Sequence, residues 1–122
     1  MSLLSNQAIE FRRAYNIRND LSSRSMQKNL IVEEFKEFLQ ADADMVLMHP
    51  QDRQACLKEL ADLIYVCAQY AENMDWDIEQ ALRRVHNSNM SKLGEDGKPI
   101  YREDGKVLKG PNYQPPDLSD LV

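Results

Sequence analysis

The sequence predicts an all-α protein: a bundle of about four helices, then a C-terminal hairpin and extended tail, the whole completed by oligomerisation. Three observations carry this. Apolar residues recur at three- and four-residue spacing in four segments before Leu93. All four glycines and four of the five prolines lie after Leu93. Two long helices with short companions also leave more apolar surface than one chain covers, which points to self-association. The 122 residues fit one domain, with a core over about 8–93 and a C-terminal extension over 94–122.

The elements follow in order. Residues 5–16 read as a short helix, with Ala8, Phe11, Ala14 and Tyr15 at helical spacing. The polar stretch "IRNDLSSRS" interrupts it, and a second helix runs from Ser23 or Ser25 to about Ala43. Pro50 disfavours helix at the residue before it, so "MHPQD" is a loop. A third helix covers about Asp52 to Asn73. Asp77 is the N-cap, with Gln80 three residues on, for a fourth helix over 78–92. Beyond it, "EDGK" occurs at 95–98 and at 103–106, and Asp104-Gly105 between "PIYRE" and "KVLK" signals a two-residue hairpin.

Composition narrows the function. A net charge of −5 disfavours nonspecific binding to nucleic acid or to anionic membranes, yet leaves room for a small anion carried on a metal. The N-terminal stretch has no long apolar run, so neither a signal peptide nor a membrane span is expected. Cys56 and Cys67 sit eleven residues apart on one helix, about 16 Å along its axis, too far for a disulfide. Two free thiols suit a reducing compartment, and the expected location is cytoplasmic.

The informative residues are acids. In "LIVEEFKEF" (30–38), steps of about 100° per residue place Glu34 inside the arc of Leu30, Ile31, Val32, Phe35 and Phe38. Glu37 falls at the edge of that arc and Glu33 on the wet side with Lys36 and Gln40. In "LKELADLIYVCA" (57–68), Glu59 and Asp62 again lie within and beside an apolar stripe. Each helix thus offers two carboxylates spaced i, i+3, and the reading finds no basic residue on the same face. Four carboxylates in one crevice repel and lose hydration, and a hard divalent cation resolves that conflict. Mg²⁺, with Mn²⁺ as a possible substitute, prefers such oxygen ligands. A di-iron carboxylate centre would use Glu-x-x-His pairs, which are absent here.

Glu34-x-x-Glu37 and Glu59-x-x-Asp62, with 21 residues between (38–58), resemble the signature of the MazG-like all-α nucleoside triphosphate pyrophosphohydrolases. That group includes the dimeric dUTPases and the phosphoribosyl-ATP pyrophosphohydrolases. The resemblance implies a Mg²⁺-dependent enzyme that cuts the α–β phosphoanhydride of a nucleotide to monophosphate and pyrophosphate. It implies that Glu34, Glu37, Glu59 and Asp62 hold the metal and carry the catalysis. Asn89 lies on the stripe of Leu82, Val85, His86 and Leu93, with Lys92 three residues on; these two are the expected phosphate contacts. Gln27, on the inner face before the first acidic pair, is the expected base or sugar contact. Phe35, Tyr65, Tyr70 and Trp76 could stack on a base but more simply pack; His86 belongs at the core edge. Arg83, Arg84, Arg102, Lys98, Lys106 and Lys109 read as solvated, although the tail lysines could close over a triphosphate. The alternative is a non-catalytic helical interaction or regulatory module on the same fold, which would have no need of all four acids.

Overall fold

A computed structural model describes residues 3–122. Among the described residues it is all-α, with four α-helices and no strand: α1 Leu3–Ala14, α2 Arg24–Asp44, α3 Pro50–Asn73 and α4 Ile78–Met90. The chain divides into two compact units, Met1–Ile78 and Glu79–Val122.

In the first unit, α1 ends where Asn16 takes φ 56° and Ile17 N–H reaches back to Arg12 O at 2.8 Å. The end of α3 repeats this device: Asp75 has φ 59°, and Trp76 N–H bonds Ala71 O at 2.9 Å. Both are left-handed C-terminal caps, built on Asn and Asp, which tolerate that region better than most residues. Between α1 and α2, Asp20 accepts Ser22 N–H at 2.9 Å and caps a 3-10 turn at Leu21–Ser23. The start of α3 lies two residues earlier than its sequence signal. His49 is extended (ψ 148°), as the residue before a proline should be, and Pro50 itself opens the helix. Proline suits a first helical position because the N–H it lacks would have had no partner.

Helices α2 and α3, joined by the short connection 45–49, form the principal packing of this unit, and α1 packs on α3. Its described interior is unusually polar. The buried apolar side chains are the small Ala8, Cys56, Ala68 and Ala71; beside them lie Arg12, Gln27, Gln69 and Asn73. Arg12, 3% exposed, donates to Gln69 Oε1 (3.2 Å), Asn73 Oδ1 (2.9 Å), Asn19 Oδ1 (2.8 Å) and the Arg18 carbonyl (2.9 Å). Asn73 in turn exchanges hydrogen bonds with the backbone of Asp20. This clamp fixes α1 and the 18–20 segment to the last turns of α3. Burial lowers the pKa of Arg12 and the charge of Glu72 raises it.

The expected apolar arcs are only partly covered in the single chain. Val32, Phe35 and Leu39 on α2, and Leu57, Leu60 and Ile64 on α3, are all exposed, Leu57 by 66%. Both cysteines are free; Cys56 is buried, and burial raises the pKa of Cys67.

In the second unit, α4 carries the tail. The two "EDGK" copies form the same turn. Asp96 Oδ1 accepts Lys98 N–H at 3.0 Å, Asp104 Oδ1 accepts Lys106 N–H at 3.2 Å, and the glycines between have φ 74° and 88°. The expected hairpin reduces to one antiparallel bridge, Tyr101 to Val107, flanked by Leu108 N–H to Ile100 O at 2.7 Å. Gly110 then bonds Lys92 O at 2.8 Å, so close that a Cβ there would collide with the Leu93 carbonyl. Ser88 and Ser91 hold the backbone of Gln114, and Arg84 pairs with Asp120 at 2.5 Å and reaches the Asp117 carbonyl. The extension is thus stitched to α4 by its backbone.

Candidate metal centre

Helix phase and hairpin register bring the acids together. Glu34 on α2 and Glu59 and Asp62 on α3 each offer an oxygen, all within 4.8 Å of one another, and all three side chains are half-buried. The short 45–49 connection sets this register: Glu34 lies ten residues before Asp44, and Glu59 nine residues after Pro50. Glu34 Oε2 and Glu59 Oε2 are buried without a hydrogen-bond partner. An orphaned carboxylate oxygen is a costly group, and two at one place are chemistry that a hard cation satisfies. The donor set therefore fits a divalent metal ion, and Glu34, Glu59 and Asp62 are the residues that could hold it.

The pKa of Glu34 is raised, first by burial, then by a hydrogen bond with Glu37 and by the charges of Glu37, Asp62 and Glu59. Glu37 is exposed and falls outside the three-residue group, but it is Glu34's immediate neighbour by that contact. Glu33 is exposed, on the face its phase predicts.

One cation was missed by the sequence reading. Lys58 Nζ lies 2.7 Å from Asp62 and 3.4 Å from Glu59, so a basic residue does share the site. The signal was present as an i, i+4 pair, Lys58 to Asp62, which the face count passed over. Its side chain is two-thirds exposed and swings easily, so it screens the acids without sealing them.

The remaining expected residues are distributed as follows. Gln27 is 2% exposed; its Oε1 has no partner, and its Nε2 meets only the Met26 sulfur at 3.8 Å. Asn89 is exposed and Lys92 half-buried; both belong to the second unit, where the Lys92 carbonyl anchors Gly110. His86 is exposed rather than at a core edge, because its face of α4 is left uncovered. Among the aromatics, Tyr65 stands edge-on to Phe11 at 5.6 Å and Tyr70 tilts against Trp76 at 6.0 Å, so these pack together, while Phe35 is exposed.

Compared with known families, residues 7–89 match the phosphoribosyl-ATP pyrophosphohydrolase family, a span that contains both acidic pairs and the helices bearing them. The chain belongs to that family. No curated protein is matched. Membership supports a nucleotide pyrophosphohydrolase-type activity in general. No helix among the described residues is long and apolar enough to cross a membrane.

Proposed function

We propose that this family member is a Mg²⁺-dependent nucleoside triphosphate pyrophosphohydrolase that cuts the α–β phosphoanhydride, releasing monophosphate and pyrophosphate in the cytoplasm. The observation that carries the reading is the pair of buried, partnerless oxygens on Glu34 and Glu59 facing Asp62. When bound, the metal supplies a water of lowered pKa and offsets charge on the phosphates. The chain's residues do the rest. Glu34, Glu59 and Asp62 hold the cation, with Glu37 joining them from the next turn of α2. An uncommitted carboxylate oxygen of this set accepts the proton of the attacking water. Lys58 gives up Asp62 to the cation. Asn89 and Lys92 steady the phosphate chain through an amide and an ammonium, a charge-assisted contact.

The exposed apolar residues of α2 and α3 support a homodimer or homotetramer in which a second copy covers them. The same exposure is what a purely interacting module would show, but such a module gains nothing from three clustered carboxylates, two of them with unsatisfied oxygens.

The test is a panel of ribo- and deoxyribonucleoside triphosphates and diphosphates, together with phosphoribosyl-ATP, each with Mg²⁺. Pyrophosphate and orthophosphate are read separately, and heavy-oxygen water locates the cut. Pyrophosphate from a triphosphate is expected. Orthophosphate as the primary product from a triphosphate rejects the α–β cut; turnover of phosphoribosyl-ATP alone rejects the assignment to ordinary nucleoside triphosphates.

A further inference from the structure

Two buried atoms other than the carboxylate oxygens also lack partners, and they are of opposite kind. Gln27 Oε1 is an acceptor without a donor; Gln69 Nε2 is a donor without an acceptor. The residues are 2% and 4% exposed. Their positions in the hairpin correspond. Glu34 faces Asp62 across α2 and α3. Seven residues back from Glu34 is Gln27, and seven forward from Asp62 is Gln69. In an antiparallel pair these steps reach one level, two helical turns or about 10 Å from the carboxylates.

The orientation of one amide is fixed by its neighbour. Arg12 Nη1 donates to Gln69 at 3.2 Å, and a guanidinium has only donors. The Gln69 oxygen must therefore face Arg12, and its NH₂ must point away as a donor. Asn73 and Asn19, also held by Arg12, keep that guanidinium in place. Gln27 has no comparable anchor, since its one contact is a thioether, so its amide can turn to present either group. By that register the seam brings one fixed donor level with one adaptable amide. Each group left buried and unpaired is costly, and a ligand edge bearing an adjacent acceptor and donor removes that cost. Nucleobases present such edges; ribose and phosphates do not present them in that planar form.

We propose that Gln69, oriented by Arg12, acts with Gln27 to read the hydrogen-bonding edge of the nucleobase. The helix pair is then a ruler, with phosphate chemistry at the carboxylate level and base selection two turns away. The inference rests on the nucleotide reading above and adds Gln69 as a specificity-determining residue and Arg12 as a positioning residue.

Binding separates this inference from catalysis. Dissociation constants are measured by calorimetry, with Mn²⁺ present, for ribose 5-phosphate and for the four ribonucleoside 5′-monophosphates and their 2′-deoxy forms. The wild type should bind at least one monophosphate about tenfold or more tighter than ribose 5-phosphate. Gln69→Glu keeps an oxygen for Arg12 but replaces the donor with an acceptor. It should reduce that ratio about tenfold while preserving the helical spectrum. Gln27→Leu, which leaves the Arg12 contacts intact, should reduce the ratio similarly, and Arg12→Lys should weaken it through a loosened Gln69. Ribose 5-phosphate binding should stay within a few-fold throughout. A wild type that does not prefer any monophosphate overturns the proposal, whatever the hydrolysis panel gives. So does a ratio unchanged in both glutamine variants, which would leave the amides bridged by a water or by each other. Failure of pyrophosphate release with the binding ratio intact overturns only the catalytic reading.

Discussion

Glu59→Gln should move two measurable quantities in opposite directions. In the metal-free protein an oxygen of Glu59 lies within 4.8 Å of oxygens of Glu34 and Asp62. Two unit charges at that separation repel by about 1 kcal/mol in bulk water and about 3.5 kcal/mol at an effective dielectric of 20. Lys58, 3.4 Å from Glu59, offsets part of this, so about 1 kcal/mol is the working figure. The new amide can also donate to the orphaned Glu34 Oε2. Metal-free Glu59→Gln should therefore melt higher than wild type, by about 3–5 °C for a chain of this size. With Mn²⁺ at a hundred times its dissociation constant, the wild type gains about 2.7 kcal/mol, or roughly 8–13 °C. Losing one ligand should weaken binding by about a hundredfold or more, leaving at most about 0.4 kcal/mol, or roughly 1–2 °C. Calorimetric melting with and without chelator reads both quantities. A lower metal-free melting temperature with an undiminished Mn²⁺ response would refute the assignment, because a merely structural Glu59 behaves that way.

Four further outcomes are expected. Glu33→Gln should leave turnover within a few-fold, whereas Glu34→Gln should cost at least about a hundredfold, as steady-state kinetics with Mg²⁺ will show. The raised pKa of Glu34 means that the metal-free fold holds its proton more tightly than the unfolded chain. Its stabilising contribution is present at low pH and is lost as pH rises through that raised pKa; the loss should vanish in Glu34→Gln, and Mn²⁺ affinity should fall over the same range on acidification. Lys92→Ala should raise KM and lower kcat/KM by about 10–100-fold while sparing the metal-induced rise in melting temperature. Gly110→Ala places a Cβ 2.7 Å from Lys92 O and nearer still to the Leu93 carbonyl; a cost of about 1–3 kcal/mol and faster proteolysis of the tail are expected, and an unchanged digestion pattern would show that the tail is held elsewhere.

The helices were legible because periodicity is a strong signal over twenty-residue stretches. Phase alone separated exposed Glu33 from half-buried Glu34. The repeated "EDGK" turns were legible too, since Asp and Gly each perform a fixed backbone task there. What sequence did not reveal has a common cause. Periodicity counts apolar residues, but beside Gln27, whose phase pointed inward, the best-buried positions of the first unit include Arg12, Gln69 and Asn73. A side chain such as Arg12 reads as surface until the carbonyls and amides that receive it are in place. The converse error befell Leu57 and Ile64, whose phase marks them as core, although the single chain leaves them exposed. Lys58 was overlooked, although its i, i+4 spacing from Asp62 makes the two neighbours on the surface of α3.

The Arg12 clamp and the carboxylate cluster both engage α3 yet should answer differently to ionic strength. The hydrogen-bond acceptors around Arg12 are uncharged amides and a carbonyl, and the guanidinium itself is buried, so mobile ions have little to screen there. The cluster gathers like charges around an exposed ammonium, and a divalent ion approaching it is attracted over distances that salt curtails. Raising sodium chloride from about 0.01 to 1 M shortens the Debye length from about 30 to 3 Å. Amide exchange in the last turns of α3 should hardly register that change, while the same titration progressively releases the cation about three turns earlier on the same helix.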